Sequence, residues 1–300
     1  MRFVAVLNKE GGSLRDLDLD RFGRRLRDIL VEAGHEVEIK TVAGQEIVDA
    51  LAKAFGRDDC DVILVGGGDG TVSTAAGKAM KSDKMLAILP AGTMNLFARG
   101  LGLPLDLEEA AKIFAMGHAR KVDIATANGR PFVHQFSVGM HPRMVRLRED
   151  EAFAGRLGKM RASLSAAVKT LLAPPRVKGT LTIDNEKMAI ATPSLGISNN
   201  LFGAGHLPYA DQPDGGVLGI YVGQPQARGG AFGLAADMLL GRWQDGQAIE
   251  ASTAKRARLE LSQPLGKLEC SIDGELVELD PVTELEIHPG ALAVLTPPAT

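Results

Sequence analysis

A glycine-rich loop that contains one carboxylate follows an apolar run in VILVGGGDGTVSTAAG, at residues 62–77. Glycines between a strand and a helix let backbone N–H groups surround an anion such as a phosphate. The loop lacks the lysine of a Walker loop, and its spacing is not that of a dinucleotide fingerprint. A carboxylate such as Asp69 is compatible with phosphate oxygens where a cation bridges the two charges. The pattern therefore favours a Mg²⁺-nucleotide site and phosphoryl transfer.

A second loop of the same design follows in LAILPAGTMNLFARG, at residues 86–100. Gly92 permits close backbone approach, and Thr93 and Asn95 offer short polar groups to a phosphate or to metal-bound water. Taken alone, this loop is typical of an ordinary capped helix start. Two such loops after neighbouring strands favour a shared binding site over two unrelated turns.

The elements that position these loops alternate between strand and helix as far as residue 122. This alternation predicts an α/β domain with a parallel sheet, in which ligands bind at the carboxyl ends of the strands. Four residues follow strands and are expected to gather along that edge of the sheet: Asn8, Thr41, Gly66 and Ala91. Asp106, with Glu109 three residues later, resembles a capping box.

Strand-rich sequence replaces this alternation after residue 122. Asn128-Gly129 between two apolar runs predicts a type I′ hairpin. The runs that follow predict an antiparallel β-sandwich, with helices near residues 150–172 and 227–241. We therefore expect a nucleotide-binding α/β domain at 1–122 and a β-rich substrate or lipid domain at 123–286, with a strand at about 287–300 that returns to the first domain.

The pairing of GGGDGT with PAGTMNLFAR resembles the diacylglycerol kinase catalytic domain, a family that includes sphingosine kinases and bacterial lipid kinases. NAD kinases share its nucleotide domain. Three further motifs carry the likeness: the loop from Asn8 to Gly12, the region SNNLFGAGHLPYADQPDGGVLGIYV, and the late segment SIDGELVEL. The resemblance spans nearly the whole chain.

The resemblance implies ATP-dependent phosphorylation of a lipid hydroxyl, with ATP and Mg²⁺ as cofactors. Asp273 is implied as the general base, Glu275 as its assistant, and Asp69 as a third catalytic residue. A structural Mg²⁺ site is implied at Asp211, Asp214 and Gly216. The positions that match the ATP-binding residues are Asn8, Thr41, Thr93, Asn95, and the glycine-loop residues Gly12, Gly66, Gly67, Gly68, Asp69, Gly70, Thr71 and Gly92.

Local sequence leaves alternatives open at several of these positions. Asp273-Gly274 is also an ordinary hairpin turn, and QPDGG around Asp214 is also a plain turn. The chain departs from the family pattern at Thr74, Leu96 and His141; we interpret His141 as a solvated loop residue rather than an acceptor contact. An NAD kinase and a catalytically silent nucleotide- or lipid-binding module remain alternative functions.

Composition narrows the choice of partners and compartment. A net charge of −3, a pI near 6.1 and 4% aromatic residues argue against a nucleic-acid partner. Cys60 and Cys270 lack metal-ligand spacing and are interpreted as buried thiols. The chain shows neither a leader-like start nor an apolar run of about 20 residues, which favours a cytoplasmic protein that visits the inner face of the membrane. An apolar stripe from Phe153 to Leu171 is interpreted as core packing, with an interfacial helix as the alternative; a homodimer stays open.

Overall fold

The computed structural model describes residues 1–152, 175–224, 233, 241–242, 248–262 and 268–298. The chain divides into two compact units. The first comprises Met1–Ile124, Asp211–Gly215 and residues 288–298, and the second comprises the described parts of Ala125–Ala210 and Gly216–Ile287. Residues 211–215 therefore cluster with the first unit, although the sequence suggested the second domain for them. The Phe153–Leu171 stripe and nearly all of the predicted helices near 150–172 and 227–241 lie outside the described residues.

The first unit is built on a parallel sheet with strand order β2-β1-β3-β4. The strands are β1 (Arg2–Asn8), β2 (Glu36–Val42), β3 (Val62–Gly67) and β4 (Met85–Pro90). The helices are α1 (Leu19–Glu32), α2 (Ile47–Phe55), α3 (Asp69–Ala79), α4 (Leu96–Gly100) and α5 (Leu107–Ala115). Strands β1, β3 and β4 are almost completely buried, as expected for a parallel sheet in the interior of an α/β unit. The predicted α/β fold with a parallel sheet is confirmed.

Aspartates begin two of these helices. The Asp18 carboxylate accepts the Arg21 amide at the start of α1, and Asp106 accepts the amides of Glu108 and Glu109 at the start of α5. Each cap satisfies backbone donors that have no partner within the helix. The capping role predicted for Asp106 is confirmed.

The second unit contains two antiparallel sheets. The six-stranded sheet has the order β12 (Ile249–Ala254), β11 (Leu218–Gly223), β10 (Ser194–Asn199), β7 (Gln135–Gly139), β14 (Glu269–Ile272) and β15 (Glu275–Glu278). The other sheet contains β8 (Val177–Ile183), β9 (Glu186–Thr192), β13 (Arg256–Leu261) and the first part of β16 (Val282–Leu295). The hairpin of β5 (Ala119–Ala127) and β6 (Arg130–Phe132) pairs with β16, and α6 (Met140–Ala152) follows β7.

Apolar side chains from both sheets form one core in the second unit. Phe136, Val138 and Ile197 come from the six-stranded sheet, while Leu181 and Leu259 come from the other. Removing such side chains from water contributes about 1.5–3 kcal/mol each, which holds the sheets face to face. The predicted antiparallel sandwich is confirmed.

Strands β5 and β16 each contain residues of both units. The beginning of β16 pairs with β13 in the second unit, and Val294 near its end pairs in parallel with Leu86 of β4 in the first.

The turn between β5 and β6 has positive φ at Asn128 (47°) and Gly129 (77°), which agrees with the predicted type I′ hairpin. Among the helices of the described residues, none is long and apolar enough to cross a membrane.

Both cysteines are buried single thiols. Cys60 is 7% exposed and Cys270 is 3% exposed. Burial disfavours the thiolate, so it raises the pKa of Cys60 and raises the pKa of Cys270 to about 11. The interpretation of both residues as buried thiols is confirmed.

We therefore expect the native protein at pH 8 to resist a thiol-specific reagent such as 5,5′-dithiobis(2-nitrobenzoate). At that pH the Cys270 thiolate amounts to about one part in a thousand, and neither sulfur is accessible. After denaturation both thiols should react within the mixing time. Rapid labelling of either cysteine in the folded protein would contradict the assignment.

Candidate active site

Three loops leave the first unit's sheet at neighbouring positions. Parallel pairing aligns Leu7 with Gly66, and Gly67 with Pro90, so β1, β3 and β4 end at the same edge. Thr41 ends the adjacent edge strand opposite Leu7. The expected gathering of residues at the carboxyl ends of these strands is confirmed. We call the loops 8–12, 67–71 and 90–95 the three glycine loops.

Backbone-to-backbone contact binds the three glycine loops together. The Ser13 amide donates to the Ala91 carbonyl at 2.9 Å, and the Ala91 amide donates to the Gly67 carbonyl at 3.1 Å. A Cβ at Gly12, where φ is +38°, would lie 1.8 Å from the Ala91 oxygen. A Cβ at Gly92 would lie 2.7 Å from the Gly68 Cα. No side chain fits at either position, which explains glycine there in physical terms.

The start of α3 supplies the anion-binding groups. The first amides of an α-helix have no acceptor within the helix, and the helix dipole makes that end favourable for negative charge. Here the helix begins directly after Gly68, so the amides of Gly70 and Thr71 lie at its start. The Thr71 side chain packs over Gly67, where a Cβ would lie 2.7 Å from its atoms. These amides suit an anion such as a phosphate.

Asp69 connects the second of the glycine loops to the third. Its Oδ2 accepts the Asn95 amide at 3.0 Å, and its Oδ1 accepts the Leu96 amide at 2.8 Å. These amides begin α4 and have no partner within that helix. The carboxylate therefore caps the next helix from a distant point in the sequence. Sequence reasoning assigned Asp69 to catalysis and missed this cap, because 26 residues separate it from Asn95.

Asn95 closes the third glycine loop from inside. It precedes α4 as the residue that caps it, with φ +51°. Its Oδ1 accepts the Gly92 amide at 2.7 Å, and its Nδ2 donates to the carbonyls of Pro90 and Gly92. The side chain is only 8% exposed. The Asn95 side chain thus fixes the third glycine loop by bonding to the loop's backbone groups. Thr93 lies exposed on the same loop.

In the second unit, Asp273 occupies the turn between β14 and β15. Its φ is +48° and that of Gly274 is +86°, so the hairpin reading of this Asp-Gly pair is confirmed. Its Oδ1 accepts the amides of His134 and Gln135, and its Oδ2 accepts the Val133 amide, each at 2.9 Å. A carboxylate offers about four acceptor positions. Among the described residues three are used, which leaves one position on Oδ2.

Glu275 lies two residues further on and points to a different partner. Its Oε2 forms an ion pair with the Arg130 Nη2 at 2.8 Å, and both side chains are about half exposed. Among the described residues, Glu275 forms this ion pair and has no hydrogen bond to Asp273. Its predicted assisting role stays a prediction.

Several polar residues beside Asp273 were not singled out as site residues. The His134 ring stacks on Phe202 at 5.2 Å and is hydrogen-bonded through Nε2 to the Pro208 carbonyl. The His141 Nδ1 is hydrogen-bonded to the Ser137 Oγ at 2.8 Å. The His141 Nε2 lies 3.4 Å from the side-chain Nε2 of Gln135. His141 is half-buried in the first turn of α6, so the solvated-loop interpretation is wrong.

Asp214, a member of the predicted structural metal site, pairs with an arginine in this structure. The Asp214 carboxylate accepts two hydrogen bonds from the Arg120 guanidinium, at 2.6 and 3.2 Å. This bidentate pair neutralises the charge that a cation would otherwise balance. Among the described residues, no group of three or more His, Cys, Asp or Glu is arranged to hold a metal ion. The predicted set of Asp211, Asp214 and Gly216 stays a prediction, with the Asp214 carboxylate paired to Arg120 in this structure.

Asp69→Asn is expected to weaken ATP binding about tenfold, equally in excess Mg²⁺ and in excess EDTA. An amide has only one acceptor oxygen, so either the Asn95 or the Leu96 amide loses its bond and the third glycine loop shifts. Isothermal titration calorimetry with ATP measures both affinities.

Asp106→Asn is the matched control, because Asp106 also caps a helix by accepting two amides but lies outside the glycine loops. It should leave ATP affinity unchanged. A loss of affinity for Asp69→Asn that appears only with Mg²⁺ would contradict the capping role and show that Asp69 acts on the metal.

Comparison with known proteins agrees with this geometry. The diacylglycerol kinase catalytic domain family matches residues 2–127, which include all three glycine loops. A Staphylococcus haemolyticus protein named "Putative lipid kinase" is 28% identical over 251 residues, covering 80% of this chain and 78% of that protein. An uncharacterized Synechocystis protein is 25% identical over 304 residues, covering 96% of this chain and 68% of that protein.

The fold is also that of a solved structure. The crystal structure of a diacylglycerol kinase from Bacillus anthracis strain Sterne has a TM-score of 0.73 to this chain at 21% identity, covering 99% of this chain and 97% of that one. With the family match over the glycine loops, this confirms the resemblance seen in the motifs. Residues 2–127 match the model of the diacylglycerol kinase catalytic domain family.

Proposed function

We propose that this protein is an ATP- and Mg²⁺-dependent kinase that phosphorylates the hydroxyl of a lipid such as diacylglycerol or a related lipid alcohol. The observation that carries the proposal is the set of three glycine loops, whose backbones contact one another around the start of α3. That arrangement suits a chain of phosphates better than a single small anion. The lipid acceptor is supported by the family match and by the name of the Staphylococcus relative.

The first unit is proposed to bind and align the nucleotide. The amides at the start of α3 hold phosphate oxygens, while Asp69 and Asn95 keep the third glycine loop in place through its backbone. In this proposal, Mg²⁺ enters the site bound to ATP and would neutralise charge during phosphoryl transfer. This explains why the loop needs no lysine of its own.

Asp273 is proposed as the proton acceptor for the lipid hydroxyl. Backbone amides fix its carboxylate and leave one acceptor position on Oδ2. A single hydroxyl proton needs one such position. Phosphoryl transfer requires a carboxylate or an equivalent group in this role, and a positioned general base contributes about 10²–10⁴-fold.

Diacylglycerol partitions into bilayers, so a protein acting on it has to reach a membrane surface. We propose peripheral contact with the cytoplasmic face of the membrane, in agreement with the absence of a spanning helix among the described residues. Co-sedimentation with vesicles that contain diacylglycerol measures this contact directly.

The experiment that tests the proposed function is incubation with γ-labelled ATP, Mg²⁺ and total lipid extract, followed by identification of the labelled product. Labelled lipid supports the proposal. A parallel incubation with NAD⁺ instead of lipid tests the NAD kinase alternative. Measurable ATP binding without labelling of either acceptor would favour a silent binding module and overturn the kinase proposal.

Asp273→Asn is expected to lower the turnover number at least about 100-fold while ATP affinity changes less than about twofold. Asparagine is well suited to the first position of this turn, and its Oδ1 can still accept the amides of His134 and Gln135, so that only the Val133 amide loses its acceptor. The fold should therefore survive, which circular dichroism and thermal melting verify. Steady-state kinetics with the labelled lipid assay measures turnover.

Asp184→Asn provides a closely matched control. Asp184 also has positive φ (51°) in a β-turn, and its Oδ1 accepts two consecutive amides, those of Lys255 and Arg256. It lies outside the proposed site, so its turnover should equal that of wild type. Wild-type turnover in Asp273→Asn would refute the base assignment.

A further inference from the structure

The chain that leads from β6 into β7 holds the Asp273 carboxylate. Val133, His134 and Gln135, the last of which begins β7, each donate a backbone amide to that carboxylate at 2.9 Å. In a regular strand, consecutive amides point alternately to opposite sides, so three in a row cannot reach one group. Residues 133 and 134 accordingly form a bend between the two strands. We call residues 133–135 the carboxylate cradle.

The carbonyl groups of the carboxylate cradle are hydrogen-bonded as well. The side-chain Nδ2 of Asn199 donates to the Val133 carbonyl at 3.3 Å, and the Asn199 amide donates to the His134 carbonyl at 2.9 Å. The Gln135 carbonyl accepts the Asp273 amide at 2.9 Å. Asn199 therefore bonds to two consecutive carbonyls of the cradle.

Two consecutive peptide groups thus lie between Asn199 and Asp273. The carbonyl and the N–H of a trans peptide point in opposite directions. The peptide that joins Val133 to His134 accepts the Asn199 side chain on one side and donates to the Asp273 Oδ1 on the other. The next peptide does the same with the Asn199 amide. A bond to a carbonyl polarises its peptide and strengthens the N–H as a donor, so Asn199 acts on the Asp273 carboxylate through the cradle.

The pairing of β10 with β7 brings Asn199 to this place. Ser198 lies directly opposite Gln135, so the next residue of β10 lies beside the bend. Asn199 is only 4% exposed there. A buried amide group is costly unless it is hydrogen-bonded, and an apolar residue would leave the Val133 carbonyl without this donor. The need of the carboxylate cradle for a donor explains asparagine at this position.

A second contact anchors the carboxylate cradle independently of Asn199. The His134 ring stacks on Phe202 at 5.2 Å, and its Nε2 is hydrogen-bonded to the Pro208 carbonyl. The cradle is thus fixed through a side chain as well as through its carbonyls. Loss of the Asn199 side chain should therefore shift the cradle without unfolding the second unit.

We infer that Asn199 is a positioning residue for Asp273: it fixes the two peptide groups whose amides hold the Asp273 Oδ1, and so directs the open acceptor position on Oδ2. This inference rests on the proposed function, in which Asp273 accepts the proton of the lipid hydroxyl. Proton transfer requires hydrogen-bond distance, and a displacement of about 1 Å can cost about 100-fold in rate. Asn199 therefore affects the chemical step and leaves nucleotide binding unchanged.

Asn199→Ala is expected to lower the turnover number about tenfold, the value of one hydrogen bond, while the KM for ATP changes less than about twofold. Asn199→Leu removes the same donor but fills the space of the side chain, so it should behave as Asn199→Ala does. The labelled lipid assay measures both quantities, and circular dichroism verifies the fold. Wild-type turnover in Asn199→Leu would attribute the loss to a cavity and refute the inference.

Thr192→Val is the matched control. Thr192 is 1% exposed, and its Oγ1 donates to the Gly223 carbonyl at 2.6 Å. Like Asn199, it is a buried side chain that donates to a backbone carbonyl, but it lies just before β10, at the other end of that strand from the carboxylate cradle. Valine has the same shape without the donor, so the variant should melt at a lower temperature and keep wild-type turnover. An equal loss of turnover in Thr192→Val would show that general loosening of the sheet is sufficient, which contradicts the inference.

The Asp273→Asn background tests whether Asn199 acts through Asp273. Once the proton acceptor is removed, Asn199→Ala should lower the residual turnover no further, because residues that act as a unit are not additive. A further loss of equal size in the double variant would show that Asn199 acts independently of Asp273 and overturn its positioning role.

Hydrogen exchange separates failure of this inference from failure of the proposed function, since it requires no activity. Exchange of the His134 amide should be about tenfold faster in Asn199→Ala than in wild type, and unchanged in Thr192→Val. If wild type phosphorylates no lipid, faster exchange supports the positioning of the Asp273 carboxylate alone, and unchanged exchange refutes it. If wild type phosphorylates lipid and Asn199→Ala does so at the same rate, the inference is refuted and the kinase proposal stands.

Discussion

Close backbone contact at the carboxyl ends of three parallel strands is the constraint on which the candidate nucleotide site depends. The Ala91 backbone accepts a hydrogen bond from Ser13 and donates one to Gly67, so three separate loops share one backbone network. Side chains at Gly12 or Gly92 would occupy space that other backbone atoms already fill. Helix α3 begins within this network, directly after Gly68, and its first amides have no acceptor within the helix.

Carboxylates in this protein act repeatedly as acceptors for backbone amides. Asp69 orders the start of α4, Asp273 orders the start of β7, and Asp184 secures the strand that begins at Arg256. Each of these bonds joins segments far apart in sequence. Charge-assisted bonds of this kind are about twice as strong as neutral ones, and they fix loop geometry without a large side chain. A negative charge in a loop that we propose to bind phosphate is therefore understandable, since the Asp69 oxygens accept amides of the neighbouring loop.

Much of the fold could be predicted from particular residues. The parallel sheet of the first unit, the cap at Asp106 and the Asn128-Gly129 turn were predicted from local patterns, and the structure confirms each of them. Segment 211–215 could not be placed in the same way, because it joins the first unit through contacts such as the Asp123 amide to the Pro213 carbonyl. His141 was misread for a similar reason: its partners, Ser137 and Gln135, lie on the preceding strand and face it only once α6 has formed.

The sequence by itself determined the family, the two-part architecture and the positions of the glycine loops, because spacing and residue type carry that information locally. It could not determine what the side chains in those loops do. Asp69 was expected beside a metal and caps a helix, and Asn95 was expected to face phosphate and closes its own loop; outside those loops, Asp214 was expected to bind a metal and pairs with Arg120. Hydrogen-bond partners separated by 26 residues in one case and 94 in another are chosen by chain folding, and only the tertiary structure decided them.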